Sequence, residues 1–196
     1  MVWKTQSRID ERQMAKPKVR LGREDWVELG LSLLAKHGPE ALTIERLTDA
    51  AKKTRGSFYH HFEDHQAFLA AIGAHWFERE IEGKIAEIDK LAVGGKRREA
   101  LARHAAGIDH ALERELRRLA AKEPAIAEIV ARSDEMRIAY LVRLFRSELG
   151  LDSAEALARA RVQHCYFVGA QMIFPDAEPR FWLRLQKTMG AALWRK

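Results

Sequence analysis

Cysteine is almost missing from this chain, with Cys165 the single one among 196 residues. One thiol cannot build an intrachain disulfide or a cysteine-based zinc site, and it suits a reducing compartment. Long apolar runs are missing as well. The first residues carry Lys4, Arg8, Asp10, Glu11 and Arg12 where a secretory leader needs an unbroken apolar stretch, and no later window is long and apolar enough to span a bilayer. The expected location is therefore the cytoplasm, with no membrane partner. Period-two strand alternation, internal repeats and low-complexity tracts are absent too. No Ser or Cys nucleophile stands at a recognisable spacing from a base, no glycine-rich loop is shaped for phosphate, and the acids are those of ordinary helix surfaces. Neither an enzyme nor a cofactor is expected. His61 and His65 lie four apart, yet no nearby carboxylate completes a shell around a metal, so no metal is expected.

What is present is apolar periodicity of helical type. Hydrophobic residues make up 47% of the chain, enough for a buried core. The excess of 34 Lys+Arg over 28 Asp+Glu suits a polyanionic partner without identifying one. Residues 1–20 hold six basic side chains and few apolar anchors, and read as a flexible basic arm. From Leu21 to His37 the positions Trp26, Leu29, Leu33 and Leu34 recur at helical spacing, and Gly38-Pro39 ends the run. Thr43 is placed to cap a short second helix with Leu47 and Ala51 facing inward. Thr54 is placed to cap a third that holds Phe58 and Phe62.

A long helix runs from about Asp64 to Gly94-Gly95, another from about Lys96 to Ala121, and a third from Pro124 to Leu149, closed by Gly150. A capping box at Asp152–Glu155 opens the next helix. That helix becomes apolar nearly all round at Cys165–Phe174, a pattern that requires cover on two sides, one the body's own core and the other either a second copy of the chain, the favoured reading, or the edge of the monomer's own core. Tyr166, Ala170, Trp182, Leu185 and Met189 are the expected dimer contacts. The fold class is all-α, about nine helices.

The run Leu42–Ala51 followed by Lys52–Phe62 has the logic of a helix-turn-helix. A scaffold helix and a short second helix, joined by a tight turn, present a narrow polar end that fits a major groove about 12 Å wide. Phe58 and Phe62 point back to the first helix, leaving Thr54, Arg55, Ser57, Tyr59 and His60 for the duplex. This run resembles the DNA-binding region of the TetR family of bacterial transcription regulators.

The resemblance implies a DNA-binding domain at residues 21–66 and a helical ligand-binding and dimerisation domain at 67–196. It also implies that Thr54, Arg55, Ser57 and His60 face bases and that Thr43 and Tyr59 meet phosphate. A guanidinium can donate two parallel hydrogen bonds to guanine, which makes Arg55 the expected reader. Lys18 and Arg20 are placed for the adjacent minor groove or for phosphate.

Two positions depart from the family pattern. Lys52 stands where the family usually has a glycine, so either the turn is of another type or Lys52 is held at positive φ at some cost, with Lys52 and Lys53 meeting phosphate. His65 replaces a common lysine, so that phosphate contact is lost or becomes pH-dependent. The resemblance further implies a small-molecule pocket among the middle helices, with His104, Ile108, Met136, Tyr140, His164 and Phe167 as candidate lining. It also implies a homodimer, a near-palindromic operator and repression relieved by an effector. A DNA-binding architectural or recruiting protein without an effector, and a helical enzyme or carrier, remain the alternatives.

Overall fold

The computed structural model describes residues 21–91 and 95–195. The basic arm, with Lys18 and Arg20, lies outside the described residues. Helix α1 is Arg23–His37, opened by the Asp25 carboxylate accepting the Gly22 amide at 2.7 Å. Gly38 ends it at φ 76°, a left-handed value that a Cβ would strain. A single 3-10 turn, Pro39–Ala41, leads to α2, Ile44–Ala51, capped by Thr43. Helix α3 is the five-residue Arg55–Tyr59, capped by Thr54. Asp64 caps α4, His65–Phe77, which continues through a π-helical turn, Glu78–Glu82, into α5, Gly83–Asp89, as one unbroken rod.

The body comprises α6 (Gly95–Gly107), α7 (His110–Ala120), α8 (Pro124–Leu149), α9 (Ser153–Ile173) and α10 (Pro179–Leu193). Counting α4 and α5 as one rod gives nine helices among the described residues, with no strand. The single helix expected over 96–121 is two. The break falls at Ile108-Asp109, where the Asp109 carboxylate accepts the Leu112 amide at 2.9 Å and caps α7. A carboxylate that takes up an orphan amide at a helix start competes with continuing the preceding helix.

One apolar core joins the amino-terminal helices to the body, crossing the expected boundary at residue 66. Trp26 and Leu34 of α1, Phe58 of α3 and Phe68 of α4 share it with Leu116 of α7 and Ile126 of α8. Burial of such side chains contributes about 1.5–3 kcal/mol each, so the amino-terminal helices are seated on the body rather than strung from it. A second core lies between α8 and α9, where Phe145 stacks on Trp194 at 4.2 Å between centroids.

A third core gathers Ala106, Ala170 and Trp182. Two of the expected dimer contacts fall within it. Ala170 and Trp182 are buried within the chain, the indole stacked on His110 at 3.7 Å and donating to the Ala177 carbonyl at 3.2 Å. Leu185 packs against the same core, and Met189 is half-buried. The exposed apolar side chains of α9 and α10 are instead Val162, Met172, Ile173 and Leu183.

Candidate nucleic-acid interface and interior cavity

The inner face of α3 is fixed by aromatic packing. The Phe58 ring meets Trp26 edge-on at 5.6 Å and lies 5.2 Å from both Phe62 and Phe68. Edge-to-face pairs of this kind add about 0.5–1.5 kcal/mol beyond area burial. With Phe58 and Phe62 locked inward, helical geometry turns the remaining residues out. Arg55, Gly56, Tyr59 and His60 are exposed, as are Thr43, Lys52 and Thr54, while Lys53 and Ser57 are half-buried. The two cap threonines accept amides from Arg46 and Ser57, each at 3.3 Å, so their hydroxyls are already engaged in shaping the motif.

The turn itself is left-handed. Lys52 is the one non-glycine among the described residues at positive φ, with φ 52° and ψ 45°. Its amide donates to the Asp49 carbonyl at 3.1 Å and the Lys53 amide to the Thr48 carbonyl at 2.9 Å. Those two bonds form a Schellman-type closure, which requires the left-handed residue. Thr48 adds a hydroxyl bond to the Ile44 carbonyl at 2.8 Å, stiffening α2 up to that turn.

His65 faces inward, not outward to a backbone. Its Nε2 donates to the Leu42 carbonyl at 2.6 Å, tying the start of α4 to the loop before α2. A cation absent from the sequence reading stands nearby. The Arg23 guanidinium lies 5.0 Å from the Phe62 ring, beside the end of α3, although its own side chain is exposed. Nothing local to Arg23 marks it, because its position depends on a ring far along the chain.

A cavity of about 70 Å³ lies in the body between the α4–α5 rod, α6, α8, α9 and α10. His104, Ile108, Tyr140, His164 and Phe167 line it. Met136 does not, since it packs against the first core while its neighbour Arg137 faces the cavity. One residue along a helix is a turn of about 100°, and that is the whole difference. Tyr166, expected at a dimer contact, also lines the cavity. Its phenol pKa is raised by burial. Burial holds the His104 pKa below its ordinary value, favouring the neutral imidazole. Tyr140 is pushed up to about 12, by burial first and then by Asp89, to which its hydroxyl donates at 3.3 Å.

Beneath the cavity runs a buried polar network. Arg137 makes a two-pronged pair with Glu113, and Gln171 adds a bond to the same carboxylate at 3.2 Å. Asp134 accepts two bonds from Arg117, at 2.9 and 2.6 Å, and one from His164 at 2.8 Å. Two polar bridges hold the amino-terminal helices to the body. Gln66 donates to Glu123 at 2.9 Å, and Glu40 lies 3.9 Å from Arg118 and 3.7 Å from Lys122. Among the described residues no group of His, Cys, Asp or Glu is arranged to hold a metal, and no helix is long and apolar enough to cross a membrane.

Residues 27–72, which run from within α1 to the middle of α4, match the family model described as bacterial regulatory proteins, tetR family. The HTH-type transcriptional repressor AcnR of Corynebacterium glutamicum is 33% identical over 66 residues, 34% of this chain. The match spans about a third (32%) of that relative's length. A transcriptional regulator of Rhodococcus sp. Rha1 superposes with a TM-score of 0.72 at 16% identity, covering 88% of this chain and 96% of that one. GusR of Salmonella enterica superposes with a TM-score of 0.64 at 19% identity, covering 88% and 95%. At such identities the structural likeness shows the all-helical fold, while the matched segment holds the whole helix-turn-helix. Over residues 27–72, then, the chain carries the amino-terminal domain described for the tetR family of bacterial regulatory proteins, set in an all-helical fold that those regulator structures share.

Proposed function

We propose that this protein is a homodimeric, sequence-specific binder of double-stranded DNA that represses transcription and leaves its operator when a small molecule enters the interior cavity. The observation that carries the reading is the two-sidedness of α3. Phe58 is fully buried on one side, and Arg55, Tyr59 and His60 stand exposed on the other. A helix anchored that firmly can enter a major groove without paying to order itself. Arg55 then reads guanine, Thr54, Ser57 and His60 lie against neighbouring base edges, and Thr43, Tyr59, Lys52 and Lys53 meet phosphate. The name of the corynebacterial relative, a transcriptional repressor, supports repression as the sign of control.

Release follows from shared elements. Glu80 and Ile81 of the π-helical turn line the cavity, and the same rod begins at His65, beneath the helix-turn-helix. π turns are costly and recur at functional sites. A ligand that fits one setting of this turn better than another shifts the reading heads by its differential affinity, typically ~1–3 kcal/mol. Two heads related by a two-fold axis require a near-palindromic site.

Selecting duplexes from a random pool tests the reading. The wild type should enrich a near-palindrome, and Arg55→Ala should bind it roughly tenfold or more weakly with thermal stability unchanged, since a bidentate base contact is worth ~1–3 kcal/mol. Natively folded protein that ignores every duplex at low ionic strength would sink it.

A further inference from the structure

Each charged side chain on the cavity wall already has a partner inside the protein. Arg137 is held in the two-pronged pair with Glu113, and its guanidinium lies 5.8 Å from the Trp76 ring and 5.6 Å from the Phe167 ring. Lys84 is paired with Glu87 at 2.7 Å, and Glu80 with Arg79 at 2.8 Å. What the wall offers unpaired is neutral. His104, Tyr166 and Gln186 line the cavity and make no side-chain hydrogen bond among the described residues. Gln163 accepts from the Trp194 indole at 3.0 Å and so keeps its amide nitrogen for a ligand. The remaining surface is largely hydrocarbon, from Ile81, Ile85, Ile88, Leu101 and Ile108.

An ionised ligand would enter this space at a loss. A carboxylate would shed its water with no unpaired cation to receive it, and taking Arg137 would leave Glu113, 3% exposed, as an uncompensated buried charge. A cation meets the same difficulty, since Glu80 is already shared with Arg79. A neutral hydroxyl or carbonyl meets no such loss, because His104, Tyr166 and Gln186 make no side-chain hydrogen bond within the described residues that it would have to break. The present volume of about 70 Å³ lies far below the ~300–1,000 Å³ of sites for drug-sized molecules.

We propose that the cavity takes an uncharged, mainly hydrocarbon molecule of about one ring, bearing a hydroxyl or carbonyl that meets His104, Tyr166 or Gln186. This rests on the reading of the cavity as an effector site. It adds selectivity by charge, which that reading does not require.

Calorimetric titration of the full chain near neutral pH with three isosteres tests it: p-cresol, 4-methylbenzoate and 4-methylbenzylammonium. p-Cresol should saturate one site per chain, and both ions should bind at least tenfold more weakly. Ile108→Trp, which fills the cavity, should abolish the p-cresol heat. Should that variant misfold, His104→Leu preserves the shape of the wall and should weaken p-cresol severalfold while leaving toluene unchanged. Binding of either ion as tightly as p-cresol, or no saturation by p-cresol, overturns the proposal. Duplex binding measured on the same preparation separates the two readings. Selective uptake of p-cresol without duplex binding refutes the regulator and upholds the ligand class, whereas duplex binding without p-cresol uptake does the reverse.

Discussion

His65 and Leu42 are joined by a short hydrogen bond, 2.6 Å from the ring Nε2 to the carbonyl oxygen, that bridges α4 to the loop on which α2 is built. A carbonyl has no hydrogen to give, so the ring is the donor and its tautomer is set. Replacing His65 with Ala takes the ring donor away from the carbonyl of the buried Leu42. The expected loss is about 0.5–1.5 kcal/mol, read from the urea midpoint. The salt dependence of duplex binding should not change. A slope shallower by about one unit would instead place His65 on a phosphate.

Lys52 holds a left-handed conformation that costs an L-residue with a Cβ about 1–2 kcal/mol. Lys52→Gly should remove most of that strain. Part of the gain is returned through the greater freedom of glycine in the unfolded chain, leaving a net stabilisation of about 0.5–1 kcal/mol. Lys52→Ala keeps the Cβ and should give none. If Lys52 also meets phosphate, both variants weaken duplex binding alike, so urea midpoints and binding isotherms taken together separate backbone strain from charge.

The reading head was legible because its signals are local. Thr43, Thr54 and Asp64 each precede a helix that they cap, and a lysine where the turn needs a left-handed residue predicts either strain or another turn type; the structure has the strain. The body was legible only in outline. Gly107 and Asp109 offered a break that the apolar periodicity across it obscured. On α9 and α10 apolar residues occupy more than one face, and periodicity does not say which face turns inward. That choice is made by Trp182 against His110, a contact between residues far apart in sequence. Met136 and Arg137 show the same limit, since the apolar neighbour was the natural choice for the cavity and the charged one lines it. Arg137 is admitted there because Glu113 on α7 neutralises it.

The pair of Arg137 and Glu113 predicts asymmetric mutational costs. Arg137→Met strands a buried carboxylate and should cost about 3–5 kcal/mol, whereas Arg137→Met with Glu113→Leu should recover most of the loss. Acid should act in the same direction. Burial alone would raise the Glu113 pKa, but Arg137 and Gln171 outweigh it and hold the carboxyl below its ordinary value. Asp134 is likewise held well down by Arg117 and His164 against the opposing effect of burial. A carboxylate whose folded pKa is depressed stabilises the fold above its unfolded value, and that contribution is lost as pH falls through the folded one. His104 and His110 are lowered by burial, so the unfolded chain takes up their protons first once pH drops below about 6.5. Urea midpoints should therefore decline in two stages, a shallow one below neutrality and a deeper one in the carboxylate range. His104→Gln with His110→Gln should flatten the first stage only, and a first stage unchanged in that double variant would assign it to other groups.

Val162 and Leu183, 53% and 54% exposed, mark the outward faces of α9 and α10. Along α9, Val162, Cys165, Gly169 and Met172 follow one another at steps of three and four, the spacing of a helix seam, and a Cβ built on Gly169 meets no atom within 4 Å. In the proposed homodimer, a stripe with such small members would let a second copy approach closely. Trp182, by contrast, belongs to the chain's own core. Two substitutions should therefore fail in different ways. In the proposed homodimer, Val162→Glu sets like charges at the two-fold contact, so light scattering on the eluting protein should report half the wild-type mass, with helicity retained and affinity for a palindromic duplex at least tenfold lower. Trp182→Ala empties a buried site and should cost about 3–5 kcal/mol of folding stability, while the protein that remains folded keeps the wild-type mass. If Val162→Glu kept that mass and Trp182→Ala halved it, the interface would lie on the face the structure buries.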